Sequence, residues 1–179
     1  LATAGVSRIN ETVVTKVLLA LAFSPLLGFI IAFVFMVIIY WVFRNWNLSN
    51  VHRLFSKLQI LSAAFLSYSH GKNDAQNAIG IMALGWAVYV SQDVSVQLWM
   101  QVSCGLAISM GVALGGWRVI HTLGSKVTNL IPASGFAANI AAAGVIEAAS
   151  NIGLPVSTTH TSSSAIMGVG ISRGILAVR

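Results

Sequence analysis

The chain has 179 residues, of which 56% are hydrophobic and only 8% are charged. Because a soluble domain carries about 25% charged residues, this chain lacks the polar surface to face water on all sides, and its composition indicates a membrane protein. Its net charge is +6, but no basic cluster alternates with aromatic residues. We therefore interpret the charge as flanking residues beside anionic lipid and expect no nucleic-acid partner. The single cysteine, Cys104, excludes an internal disulfide and a cysteine-based metal cluster.

The first predicted element is an uncharged apolar run over residues 17–43. At about 1.5 Å per residue, a helix of this length exceeds the hydrocarbon core of a bilayer, so we expect it to tilt or to kink near Pro25 and Gly28. The polar, Trp-bearing segment 44–58 follows, with apolar residues at helical spacing. It predicts a short amphipathic helix at the membrane interface.

The next segment, residues 58–90, has apolar pieces at 60–68 and 79–90 on either side of a polar centre. Neither piece is long enough to cross a bilayer by itself, whereas the two together are. We therefore predict one transmembrane helix that is broken at mid-membrane, with Asn73 or Asp74 as the cap of the new half-helix. An extramembrane loop between two short helices is the alternative that the pattern leaves open.

The rest of the chain predicts further helices. Residues 98–114 form another apolar span, and residues 128–134 are a predicted loop that contains Pro132. Residues 135–150 predict a helix rich in Ala and Gly, residue types that let membrane helices pack closely. This helix and the one after it are expected to enter the membrane and turn back as a helical hairpin. The predicted fold class is therefore an all-α membrane protein, a helical bundle with a broken transmembrane helix and a hairpin, in one domain over residues 1–179.

The polar centre at residues 71–77 predicts a binding site. A charged side chain at bilayer depth costs at least about 2.5–3.5 kcal/mol, and this cost becomes tolerable when the side chain faces a cavity and binds an ion. Asp74 supplies a hard anionic oxygen that suits Na⁺ or another hard cation. The amides of Asn73, Gln76 and Asn77 supply neutral oxygens for the same cation, or N–H groups for an oxyanion.

A second polar run begins after Pro155 and includes Ser157, Thr158 and Thr159 at the predicted start of a helix. The free N–H groups and positive dipole end of such a helix, with three added hydroxyls, form a natural anion site. An ordinary Ser/Thr cap at a solvent loop is the alternative. The anion site is favoured because two interruptions in one membrane protein are typical of a midplane substrate site in secondary transporters.

The ordered pair of motifs, GKNDAQNAIG at 71–80 and GLPVSTTHTSSSAIMGVG at 153–170, resembles the inorganic phosphate transporter (PiT) family. The resemblance extends over residues 17–179. It implies a non-enzymatic, multi-pass protein of the cell (inner) membrane, without a cofactor, that imports inorganic phosphate by symport with Na⁺ or H⁺ through alternating access. The chain carries one copy of each motif and therefore resembles the C-terminal one of two inverted repeats. The implied partners are phosphate, the coupling cation, membrane lipid and the N-terminal repeat of the same protein, with a homodimer left open.

The resemblance also implies that the two motifs line one site. The residues implied for the coupling cation are Asn73, Asp74 and Thr158. The residues implied for phosphate are Gln76, Asn77, Ser157, Thr158 and Thr159.

Four other polar residues have roles that the sequence leaves open. Lys72 either neutralises phosphate or snorkels to the membrane surface. His160 is either a proton relay, since imidazole changes charge near neutral pH, or a structural donor at the hairpin tip, and His70 is interpreted as an orienting hydrogen-bond partner. Glu147, in an apolar helix, is a cation ligand, a protonated carboxyl, or a residue beside a water-filled vestibule.

Three other functions compete with phosphate transport. A membrane hydrolase that uses Ser157, His160 and Asp74 has the necessary residue types, but the spacing is unsuitable and Ser157 does not lie in a G-x-S-x-G elbow. A channel or structural subunit is another alternative. Within the transporter hypothesis, arsenate or sulfate are alternative substrates.

Overall fold

The computed structural model describes residues 10–91, 93–122 and 128–174, apart from the side chain of residue 120. This part of the chain contains α-helices and no β-strand, which confirms the all-α fold class. The helices are α1 (Glu11–Phe43), α2 (Leu48–Val90), α3 (Leu98–His121), α4 (Pro132–Asn151) and α5 (Thr158–Ile171).

Two of these helices have the length and apolar character that a membrane crossing requires: α1, and α3 over Leu98–Val119. α1 begins at Asn10, whose Oδ1 accepts a hydrogen bond of 3.3 Å from the backbone N–H of Val13. Pro25 lies inside α1. Both apolar runs that the sequence predicted as spans are therefore helical, and each helix extends beyond its predicted run.

The polar centre at residues 71–77 does not interrupt α2. The helix continues without a break for 43 residues from Leu48 to Val90, so the predicted broken helix is wrong, and so is the alternative of a loop between two short helices. Two physical reasons explain the continuous helix. No proline lies in α2, and its polar side chains find partners on neighbouring segments without freeing backbone groups. Asn73 and Asp74 consequently lie inside a helix and do not cap one.

The amphipathic segment 44–58 is not a separate helix either. From Leu48 onward it forms the first turns of α2, which begin where Asn47 Oδ1 accepts from the backbone N–H of Ser49 at 3.1 Å. Phe55 in this segment is only 2% exposed, and its ring lies 5.4 Å from that of Phe136 on α4. Phe55 and the partly buried Val51 and Leu58 therefore pack within the bundle, whereas Leu48 is exposed.

The loop predicted at residues 128–134 ends earlier than expected, because Pro132 is the first residue of α4. Proline is favoured at this position since its missing N–H would have no partner in the first turn of a helix.

The helical hairpin formed by α4 and α5 packs between α1 and α2, whereas α3 packs mainly against α2. α5 lies against α1 and α4 lies against both α1 and α2. The contacts are close because small residues face one another: Gly168 of α5 lies against the backbone of Phe29 with no room for a Cβ atom. This packing confirms the predicted hairpin. It also brings the segment between α4 and α5 to the level of the polar centre of α2.

Candidate functional site

The second polar run is a break between two helices, as predicted. α4 ends at Asn151, and Gly153 then adopts a φ of +72°, a conformation that glycine reaches without steric cost. Ser157 caps α5: its Oγ accepts a hydrogen bond of 3.3 Å from the backbone N–H of His160. The contact between Ser157 and His160 thus involves the backbone of His160 and not its ring, so it gives no support to a Ser–His hydrolase.

Asn73 connects α2 to this break. Its side chain is 3% exposed. The amide Nδ2 donates to the carbonyl of Val156 at 2.8 Å and to Asp74 Oδ1 at 3.1 Å. The amide Oδ1 accepts from the backbone N–H of Val156 and from Ser150 Oγ, each at 3.3 Å. An asparagine side chain offers two N–H donors and an oxygen with two lone pairs, so the hydrogen-bonding capacity of Asn73 is fully used.

Asp74 lies beside Asn73 with its carboxylate 40% exposed. Its Oδ2 lies 2.7 Å from His70 Nε2, and the ionised carboxylate can only accept, so Nε2 carries the hydrogen in this contact. Its Oδ1 accepts from Thr158 Oγ1 at 3.4 Å. The structure therefore brings together the three residues predicted for the cation, Asn73, Asp74 and Thr158. It also confirms that His70 is an orienting hydrogen-bond partner.

The residues predicted for phosphate occupy three different environments. Ser157 and Thr158 lie at the first turn of α5, close to Asp74. Asn77 and Thr159 are exposed. Gln76 is half-buried and faces α4, where its Nε2 donates to the carbonyl of Ser150 at 3.4 Å.

Lys72 points to α4 and away from Asp74. Its Nζ donates to Glu147 Oε1 at 2.7 Å and to Asn151 Oδ1 at 2.6 Å. Residues 72 and 74 differ by about 200° around a helix, which explains why the ammonium and the carboxylate lie on different faces of α2. The other carboxylate oxygen, Glu147 Oε2, is buried and has no hydrogen-bond partner among the described residues. The two secondary candidates Lys72 and Glu147 are thus each other's partner, and the third, His160, is exposed.

Sequence reasoning missed Ser150, Asn151 and the backbone of Val156, which supply the partners of Asn73, Gln76 and Lys72. Ser150 and Asn151 end a helix of small residues, and nothing in the local sequence distinguishes them from ordinary polar residues at a helix end. Their role comes from the register in which α4 packs against α2.

A cavity of about 650 Å³ opens beside this cluster. His70, Thr158 and Thr159 line one part of it, and Gln59 and Asn139 line another. Since 11 residues separate Gln59 from His70, the cavity extends for about 16 Å along α2. Across the described residues, no group of three His, Cys, Asp or Glu side chains lies close enough to hold a metal ion. The cluster around Asp74 presents one carboxylate among hydroxyl and amide groups and the imidazole of His70.

Comparison with known proteins gives consistent matches. A model of the phosphate transporter family matches residues 1–179. The chain is 38% identical over 180 residues to the probable low-affinity inorganic phosphate transporter of Bacillus subtilis, a match that includes 99% of this chain and 54% of that protein. It is 41% identical over 181 residues to the protein of the same name from Rhizobium meliloti, including 100% of this chain and 54% of that protein.

A solved structure, the sodium-dependent phosphate transporter, has the same fold. It superposes with a TM-score of 0.80 at 24% identity, over 96% of this chain and 60% of that chain. The chain spans about half the length of the two bacterial relatives named above, each of which is covered to 54%.

Proposed function

Because this chain belongs to the phosphate transporter family, we propose that it forms one half of a transporter that imports inorganic phosphate together with Na⁺. Family membership makes it a membrane protein and agrees with the expectation that it is not an enzyme. One observation supports the proposal most directly. Thr158 Oγ1 of α5 donates to Asp74 Oδ1 of α2 at 3.4 Å, so residues from both motifs meet in one cluster beside a helix N-terminus.

The coupling cation is proposed to bind at Asp74 and Thr158. A carboxylate and a hydroxyl are hard oxygen ligands that suit Na⁺, and the partly exposed carboxylate is reachable from outside the helix packing. When the cation arrives, the hydroxyl of Thr158 has only to rotate its hydrogen away to offer an oxygen lone pair. The solved structure with the same fold is named a sodium-dependent transporter, which supports Na⁺ over H⁺.

Phosphate is proposed to bind at the start of α5, beside the cation. The first N–H groups of a helix lack partners within the helix, and its dipole favours a negative charge there. Ser157 and Thr159 lie in this first turn, and Asn77 is exposed on α2 one turn after Asn73. Gln76 is included among the proposed phosphate ligands because it lies in the GKNDAQNAIG motif. A neighbouring Na⁺ offsets part of the phosphate charge, which supports binding of the two ions together.

A companion inverted repeat is proposed to complete the site in a multi-pass protein of the cell (inner) membrane. The exposed side chains of Asn77, Thr159 and His160 are available to such a repeat. Membrane lipid is proposed to contact the exposed apolar side chains of α1 and α3. A homodimer remains a prediction from the family resemblance.

The test is uptake of radiolabelled phosphate into proteoliposomes that contain the full-length protein, with Na⁺ and pH gradients varied independently. We expect uptake to follow the Na⁺ gradient and Asp74→Asn to abolish this dependence, because the neutral amide is a weaker cation ligand. Asp93→Asn makes the same change on an exposed carboxylate in the loop between α2 and α3 and is expected to transport normally. Uptake that ignores every cation gradient would contradict the proposal.

A further inference from the structure

Asn73 lies between the proposed cation site at Asp74 and the proposed phosphate site at the start of α5, and it contacts residues at both. We propose that Asn73 is a positioning residue that couples cation binding at Asp74 to phosphate binding at the start of α5, and that it is not itself a cation ligand. This inference rests on the proposed function, and it assigns to Asn73 a role different from the one that the family resemblance implied.

On the phosphate side, Asn73 forms hydrogen bonds with both the carbonyl and the N–H group of Val156. Its Nδ2 donates to the carbonyl of Val156 at 2.8 Å and its Oδ1 accepts from the N–H of Val156 at 3.3 Å. Val156 is buried and directly precedes Ser157, the cap of α5. The amide of Asn73 therefore determines where the first turn of α5, which carries the proposed phosphate ligands, lies relative to α2.

On the cation side, Asn73 shares an oxygen with Thr158. Its Nδ2 donates to Asp74 Oδ1 at 3.1 Å, and Thr158 Oγ1 donates to the same oxygen at 3.4 Å. These two donors occupy the two lone pairs of that oxygen. A cation that binds at Asp74 Oδ1 must displace at least one of them, and it repels the N–H of Asn73 because both carry positive charge.

The two sides are linked because they use the same rigid amide group. Any rotation of the amide away from Asp74 also changes the hydrogen bonds to Val156, and with them the position of the first turn of α5. Direct ligation of the cation by Asn73 would instead require Oδ1, which already accepts from Val156 and from Ser150 Oγ. Coupling of this kind is reciprocal: the factor by which Na⁺ changes phosphate affinity equals the factor by which phosphate changes Na⁺ affinity.

The experiment measures the dissociation constant of inorganic phosphate for the purified full-length protein, without Na⁺ and at saturating Na⁺, with choline keeping the ionic strength constant. We expect the wild-type ratio of the two constants to lie in the usual range of about 5–150-fold. Asn73→Ala is expected to lower this ratio severalfold, to the part that the direct attraction between Na⁺ and phosphate supplies. Binding of ²²Na⁺ in the absence of phosphate should persist in this variant.

Asn77→Ala is the matched comparison, because it removes the same side chain one turn further along α2, where Asn77 is exposed. It is expected to weaken phosphate binding at both Na⁺ concentrations and to keep the wild-type ratio. If Asn73→Ala does not fold, Ser150→Ala replaces it. This change removes a single hydrogen bond to Asn73 Oδ1 and should lower the ratio in part.

The outcomes separate this inference from the proposed function. A wild-type ratio in Asn73→Ala, or in Ser150→Ala where Asn73→Ala does not fold, overturns the coupling role while leaving phosphate transport intact. Loss of phosphate-free ²²Na⁺ binding in Asn73→Ala makes Asn73 a cation ligand and also overturns the inference. Absence of phosphate binding in the wild-type protein under every cation condition removes the proposed function itself.

Discussion

Lys72 of α2 and Glu147 of α4 form a salt bridge of 2.7 Å across the helix interface. Their side chains are only 29% and 21% exposed. Glu147 accepts from Lys72 through Oε1, and Lys72 also donates to Asn151 Oδ1 at 2.6 Å. The ammonium therefore serves the packing of α2 against α4, and it points away from the proposed phosphate site. This geometry leads to the first prediction.

Lys72→Met is expected to lower stability while leaving the phosphate KM unchanged. It leaves the carboxylate of Glu147 half-buried without its cation, which costs about 1–3 kcal/mol. Thermal denaturation in detergent measures the stability, and concentration-dependent uptake measures the KM. The double variant Lys72→Met/Glu147→Leu should recover most of the stability, since replacing a whole buried pair by apolar residues is often neutral. A selective rise in the phosphate KM of Lys72→Met would instead indicate that Lys72 neutralises phosphate.

Gly168→Ala is expected to destabilise the packing of α5 on α1. A Cβ atom at this position would overlap the carbonyl oxygen of Phe29, so the two helices must separate or shift, at a cost of about 1–3 kcal/mol. The measurement is again thermal denaturation in detergent. Gly144→Ala on α4 is the control, because its added Cβ would meet no atom within 4 Å, and alanine favours a helix over glycine by about 1 kcal/mol. Equal denaturation temperatures for the two variants would contradict the close contact.

Thr159→Cys is expected to react with a water-soluble thiol reagent and to be protected by phosphate with Na⁺. Thr159 is exposed and lines the cavity beside Asp74, and it lies in the first turn of α5, where phosphate is proposed to bind. The experiment needs a background without other cysteines, which within this chain requires only Cys104→Ser. Ser163→Cys lies on the same helix, one turn further on, and is the control whose labelling phosphate should not change. Protection of both positions would indicate a general closure instead of a local phosphate site.

The sequence was sufficient to predict most of the helices, because uninterrupted runs of apolar residues mark them. The runs at 17–43 and 98–114 are helical in the structure, and the start of α5 after Ser157 was predicted from its breakers and hydroxyls. The same local reasoning failed at residues 71–77. It assumed that amides and a carboxylate at bilayer depth require an opened backbone. Instead, Ser150 and the backbone of Val156 bind the amides of Asn73 and Gln76, and Thr158 and His70 bind the carboxylate of Asp74, while α2 stays continuous.

The segment 44–58 shows the same limit. Apolar residues at helical spacing form the same sequence pattern whether they contact lipid head groups or another helix. Only the packing of Phe55 against Phe136 shows that this segment contacts another helix. The amphipathic pattern was real, but its partner could not be identified from local sequence.

Composition, motif order and the positions of Gly and Pro by themselves determined that this is an all-helical membrane protein with two polar motifs, which predict a cation site and an anion site. These properties depend on residue type and short-range spacing. Only the tertiary structure decided which polar groups meet. The register of the α4–α5 hairpin between α1 and α2 places Val156 on Asn73, Thr158 on Asp74 and Glu147 on Lys72. These pairs lie 75 to 84 residues apart in the chain, and their contacts follow from side-chain packing between helices, which no local pattern encodes.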